Sequence, residues 1–269
     1  MNEYVLFTCV GSTDPIRDNY DGGMLHIVRY YRPHTVYIFF SDEMGNREKS
    51  DKRFSRTLEM LAEFLDMQIK IEKIFSNIKD AHNFDAYMHV FREILLDIRA
   101  KHVKDTIIIN LSSGTPQMKT TMCIEAIFTP GNVLPIQVSS PAARSNISKV
   151  AGDQYDVDLE FRNNLDNEPD APNRCLKPDI MSVRKAMAKS QLIALVKSFN
   201  YPAAKIFARD FYPEVGMKAL QLLEHAISRF DLKDDLAMRI ASEIDDINLY
   251  PIKDKACRKV CEYLNVLDI

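Results

Sequence analysis

The chain has 269 residues, 46% of them hydrophobic, with a formal net charge of −3 and five cysteines. That length suits one large domain or two ordinary ones, with ample material for a core. The nearly balanced charge excludes a protein coated for nucleic acid, so any contact with a polyanion must be local. Cys9 and Cys123 lie in apolar runs, and Cys257 and Cys261, spaced i, i+4, have no second Cys/His pair nearby, which predicts free thiols and no zinc site. The amino-terminal MNEYVLFTCV has no basic segment, and its apolar run is too short for a signal peptide. No stretch approaches the ~18 apolar residues of a membrane span, so the expectation is a soluble, cytoplasmic protein without a cofactor.

From the amino end, Tyr4–Val10 (YVLFTCV) is an apolar run of strand length, and Met24–Arg32 has helical spacing. Thr35–Phe40 (TVYIFF) predicts a second strand, and Arg53–Leu65 an amphipathic helix with Phe54, Leu58, Leu61 and Leu65 on one face. Ile69–Phe75 alternates as a third strand, and Phe84–Ala100 predicts a long helix. Thr106–Leu111 (TIIINL) is the fourth strand, Pro116–Phe128 the next helix and Val133–Ser140 a further strand. Strands alternating with helices imply right-handed crossovers and a mainly parallel sheet covered on both faces.

After about Ser140 the pattern changes. Tyr155–Phe161 (YDVDLEF) alternates as an edge strand would, and Arg162–Asp179, with three prolines and four asparagines, reads as a linker. From Ile180 onward the pattern is all helical, with breaks at Asn200-Tyr-Pro202, Phe211-Tyr-Pro213, near Asp231 and at Tyr250-Pro251. The expected organisation is an α/β domain over 1–165, a linker over 166–179 and an all-α domain over 180–269.

Ligands of open parallel sheets sit beyond the carboxyl ends of the strands. Two such ends are chemically unusual: Gly11-Ser12-Thr13-Asp14 after the first strand, and Asn110–Lys119 (NLSSGTPQMK) after the fourth. Thr115 followed by Pro116 fits an N-cap and first helical position, which leaves backbone N–H groups free for an anion, with Lys119 one turn in. Alternatively, Ser112–Thr115 caps the helix and does nothing more. The loop is not a P-loop, because Met118 stands where the glycine before Lys119-Thr120 is needed, and neither G-x-G-x-x-G nor G-x-S-x-G occurs. His26, His82, His89 and His102 show no ligand spacing within one helix, so no metal is expected.

Val10–Met44, containing GSTDP and DGGMLH, taken with SSGTPQMK, resembles the CARF domain, the Rossmann-like sensor of CRISPR systems, and more narrowly the Csm-six ribonucleases of type III-A systems. The resemblance covers roughly Met1–Leu165, and the helical part resembles the family's six-helix domain. It implies a CARF homodimer in antiviral defence that binds cyclic oligoadenylate, with six adenylates favoured. The ligand-binding positions are then Gly11, Ser12, Thr13, Asp14, Ser112, Ser113, Gly114, Thr115, Pro116, Gln117 and Lys119.

The family's effector is a carboxyl-terminal HEPN endoribonuclease for single-stranded RNA, marked by Arg-x(4–6)-His. Arg29-YYRP-His34 has the spacing but falls in the first domain, where a surface helix terminus is expected. Arg99 lies too close to His102, and Arg209 too far before His225. A HEPN domain, and with it contact to RNA, is therefore expected to be absent. Two alternatives accompany the sensor reading. One is a ring nuclease that cleaves its own ligand, with Thr115 orienting the phosphodiester. The other is a transcription regulator, which the lack of a basic cluster in the helical part disfavours.

Overall fold

The computed structural model describes residues 3–141 and 155–244. The apolar runs become strands in the expected order. β1 (Tyr4–Cys9) leads through a short hairpin, β2 (Ile16–Arg17) and β3 (Tyr20–Asp21), into α1 (Gly23–Tyr31). There follow β4 (Thr35–Phe40), α2 (Asp42–Asp51), α3 (Arg53–Phe64), β5 (Lys70–Phe75), α4 (Asp85–Lys101), β6 (Thr106–Asn110), α5 (Pro116–Phe128) and β7 (Val133–Val138). α6 (Val157–Arg162), a 3-10 turn (Leu165–Asn167) and β8 (Cys175–Leu176) complete the α/β unit.

The six-stranded sheet has the order β5-β4-β1-β6-β7-β8, parallel throughout except for β8, which pairs antiparallel with β7. The period-2 alternation of strand side chains divides the core between two faces. Leu6, Val36, Ile38, Ile108 and Ile136 pack with α1 and α3, while Val5, Phe7, Phe39, Ile107 and Ile109 pack with α4 and α5. The chain runs outward from β1 through β4 to β5, then returns to the other side of β1 at β6. The carboxyl ends of β1 and β6 are therefore the switch point, where open α/β sheets bind ligands.

Two expectations are corrected here. Tyr155–Phe161 is not an edge strand: Asp156 accepts the Leu159 N–H at 3.1 Å as an N-cap, and Asp158 and Glu160 follow in the first turn of α6. Arg162–Asp179 is more than a linker, because it supplies β8 and buries Asn164, Asp166 and Arg174 against the sheet unit.

The helical unit, described by itself, comprises α7 (Ile180–Lys197), α8 (Tyr201–Asp210), α9 (Tyr212–Val215), α10 (Met217–Phe230) and α11 (Asp234–Ile244). Leu192, Val196, Ala204, Leu222, Leu223 and Ala241 are among the side chains that form its core. The fully buried Arg184 donates through Nε to Glu214 at 2.6 Å. Helix breaks fall at Asn200, which caps α8 through the Ala203 N–H, at Phe211 and at Asp231. A further break comes at Gly216, whose φ of 84° suits glycine. The expected break at Tyr250-Pro251 lies outside the described residues.

Candidate ligand-binding site

The two unusual loops meet. A Cβ on Gly11 would stand 3.1 Å from the Gly114 nitrogen, close enough that the second loop would have to give by a few tenths of an ångström, and Gly114 itself has φ +89°, which favours glycine. Asp14, 6% exposed, fastens the contact. Its Oδ2 accepts the Gly11 N–H at 3.1 Å, and its Oδ1 accepts the Met24 N–H at 3.2 Å and the Ser113 hydroxyl at 3.0 Å. One carboxylate thus ties the β1 loop to the start of α1 and to the β6 loop. Burial pushes its pKa up to about 6, against the opposing pull of those hydrogen bonds and of Lys119.

Buried Asn110 shapes the second loop: its amide donates to Thr8 Oγ1 at 2.9 Å and Ser113 Oγ at 2.8 Å, and its Oδ1 accepts the Ser112 N–H at 2.8 Å. Ser112 Oγ accepts the Val138 N–H at 2.6 Å, which joins the ends of β6 and β7. Thr115 caps α5 as expected, accepting from the Met118 N–H at 3.3 Å while its hydroxyl donates to the Ala81 carbonyl at 2.9 Å.

Beyond the strand ends lies a cleft of about 330 Å³. Of the expected positions, Thr13, Ser112 and Lys119 line it. Asp14 and Ser113 are buried and support the two loops, and Gly11 and Gly114 mark where those loops touch, outside the lining. Ser12, Thr115, Pro116 and Gln117 are not among its lining.

The wall also includes Asp21 in β3, Gly22 and Gly23 at the start of α1, Gln137 within β7, Ser139 and Ser140 after it, and Arg174. Ser139 and Ser140 carried a signal, since polar residues follow an apolar strand at its carboxyl end. Arg174 carried none: it sits in a stretch that reads as linker and is placed by contacts up to 153 residues distant. It donates to Ser139 O at 2.9 Å, Asp21 O at 3.3 Å and Asp166 Oδ2 at 2.6 Å, while its buried Nε–H has no acceptor among the described residues. Lys119 forms no ion pair among those residues.

Behind Arg174 lies a buried network of Asp21, His26, Arg29 and Asp166. Arg29 donates to both Asp21 oxygens, at 2.7 and 3.1 Å, and the Arg174 backbone N–H donates to His26 Nε2 at 3.0 Å. Although two carboxylates and an imidazole converge here, two arginines occupy them, so the donor set does not suit a metal. Arg29 is thereby buried rather than at the expected surface helix terminus, and His34 turns instead to Asp105, 3.2 Å from its Nε2. The two ends of the Arg29-YYRP-His34 spacing do not converge on one site.

This is a Rossmann-like α/β domain with a hydroxyl-rich cleft, bordered by Lys119 and Arg174, at its switch point, in a chain that continues into a helical unit. Residues 69–175 match the family model of the Csm6 CARF domain, and residues 178–230 that of the Csm6 6H domain. A CRISPR system endoribonuclease Csm6 of Enterococcus italicus is 37% identical over 207 residues, covering 74% of this chain and 47% of the relative. One of Mycobacterium tuberculosis is 36% identical, covering 77% and 49%. Among solved structures, E. italicus Csm6 bound to cyclic hexa-2'-fluoro-hexa-dAMP superposes with a TM-score of 0.66 at 29% identity, over 86% of this chain and 55% of that one. The chain belongs to the Csm6 family and carries its CARF and 6H domains. It spans about half the length of the curated relatives that it matches.

Proposed function

We propose that this chain is a sensor of cyclic oligoadenylate in a type III CRISPR defence system, with the cleft between the β1, β6 and β7 ends as its ligand site. The observation that carries this reading is the pairing of two cations, Lys119 and the incompletely satisfied Arg174, with hydroxyls of Thr13, Ser112, Ser139 and Ser140 around one opening. Such a wall suits phosphodiesters and ribose: ammonium and guanidinium for phosphate, hydroxyls for sugar and base edges. The E. italicus relative, seen with a cyclic hexanucleotide analogue, supports a ring of six.

A cleft of about 330 Å³ is at the lower end of small-molecule pockets and takes only part of a ring of several nucleotides. A symmetric ring is matched most simply by two copies of one site across a two-fold axis, so a homodimer through the CARF domain belongs to the proposal. In the family the signal passes to a HEPN ribonuclease, and single-stranded RNA cleavage by the full-length protein is the proposed output.

Calorimetry with cyclic tetra- and hexa-adenylate and their linear forms tests the reading. Saturable binding of the cyclic hexamer at one ring per two chains is expected, weakened by Lys119→Ala. Absence of binding to either ring, or equal binding of ring and linear forms, overturns it. Cleavage of the labelled ring by the same preparation would move the assignment to a ring nuclease.

A further inference from the structure

At the amino-terminal edge of the sheet, opposite the cleft, three side chains from separate elements converge. His34 precedes β4, His102 caps the end of α4, and Asp105 leads into β6. Asp105 Oδ2 lies 3.2 Å from His34 Nε2 and 3.0 Å from His102 Nδ1, and the three donor atoms all lie within 4.8 Å of one another. We propose that His34, His102 and Asp105 form a site for a divalent transition-metal ion of the zinc type, with an open fourth position.

Two imidazole nitrogens and one carboxylate oxygen are a donor set for such ions, whereas magnesium and calcium prefer oxygen alone. Bonds of ~2.0–2.1 Å in a tetrahedron separate donors by about 3.3 Å, so Asp105 already stands near the required distance from each ring, and the two ring nitrogens, within 4.8 Å of one another, must come to about the same separation.

The surroundings provide an independent reason. The far nitrogen of each imidazole is held by a hydroxyl: His34 Nδ1 lies 2.8 Å from Thr35 Oγ1, and His102 Nε2 lies 3.1 Å from Tyr37 Oη. Metal-binding histidines carry such orienting partners. Without metal, both rings donate to Asp105 and accept from the hydroxyls. With metal, each ring changes tautomer and donates to its hydroxyl, so neutral rings bind the ion without net loss of a proton. A hydroxyl serves both states, where a carboxylate or a carbonyl would serve only one.

The turn that carries His102 and Asp105 is fixed by Arg99, whose guanidinium donates to the carbonyls of both residues, at 3.1 and 2.9 Å. His34, with its side chain 38% exposed, leaves a path for entry, and Glu3 Oε2, 3.9 Å from His34 Nε2, can reach the fourth position. The helical spacing rule missed this group because its members come from three elements.

The test uses the whole chain stripped with chelator, titrated with Co²⁺ and then with Zn²⁺ in competition. One equivalent per chain is expected, with the visible absorption of four-coordinate cobalt on nitrogen and oxygen ligands, and a raised Tm. His34→Ala should weaken binding at least tenfold and abolish the Tm rise. Thr35→Val, nearly isosteric and outside the ligand set, should weaken it by about 10–100-fold. The absence of saturable binding at micromolar metal overturns the site. So does an intense thiolate-to-cobalt band, which would assign the ion to cysteines, or unchanged affinity in His34→Ala. Circular dichroism of each variant shows that it is folded.

Discussion

Thr115 and Lys119 stand one helical turn apart on α5 with different tasks. The Thr115 hydroxyl is engaged within the protein, capping Met118 and donating to Ala81. Thr115→Ala should therefore lower stability by ~1 kcal/mol and leave cyclic oligoadenylate affinity unchanged, read from Tm and calorimetry together. Lys119→Ala should do the reverse. Losing one charge-assisted contact costs ~1.5–3 kcal/mol, roughly one to two decades of affinity, with a weaker salt dependence. Asp14 offers a pH test. Its folded pKa, raised from 3.8 to about 6, means that the folded chain takes up this proton more readily than the unfolded one. Stability contributed by Asp14 should thus rise as pH falls from above 6 towards 4, by about 3 kcal/mol in all. The difference in urea midpoints between the wild type and Asp14→Asn should show that slope, and parallel curves would refute it.

Whether an element was legible in the sequence depended on how much apolar period it had. Strands such as Thr106–Asn110 and amphipathic helices such as α3 were legible because burial alone dictates their residue types. α2 was not, since Met44 is its one buried large hydrophobic side chain and Glu48 is buried through Ser55 and Lys73 instead. The hairpin β2–β3 and β8 have two residues per strand, too few for alternation to register. At the candidate site, the two loops that meet were legible from their glycines, serines and threonines, though only Thr13, Ser112 and Lys119 of the expected positions line the cleft. Their division into wall and support was not, because it depends on which polar atoms are already paired. β8 owes its place to side chains rather than to its own length. Arg174→Ala would leave Asp166 buried and short of its partner, a loss of about 3–5 kcal/mol. The expected outcome is faster hydrogen exchange along β7 and β8 and weaker ligand binding, with the far edge at β5 unchanged.

At the scale of the molecule, the sheet unit and the helical unit each have a core of their own. A fragment ending at Ile180 should unfold in a single cooperative transition and retain cyclic oligoadenylate affinity within about a decade; loss of cooperative unfolding would show that the sheet unit needs the helical one to fold. The switch point of the sheet has a consequence in time as well as in space. Because the strand order reverses at β1 and β6, the Ser113–Asp14 bond joins residues 99 positions apart, and the Arg174–His26 bond joins residues 148 apart. Contacts of such long sequence separation must wait for large loops to close. A growing chain on the ribosome therefore cannot complete the cleft until the segment around Arg174 has emerged. On the proposed reading, cyclic oligoadenylate would find no site on a half-made chain, so binding would certify that the sheet has been completed.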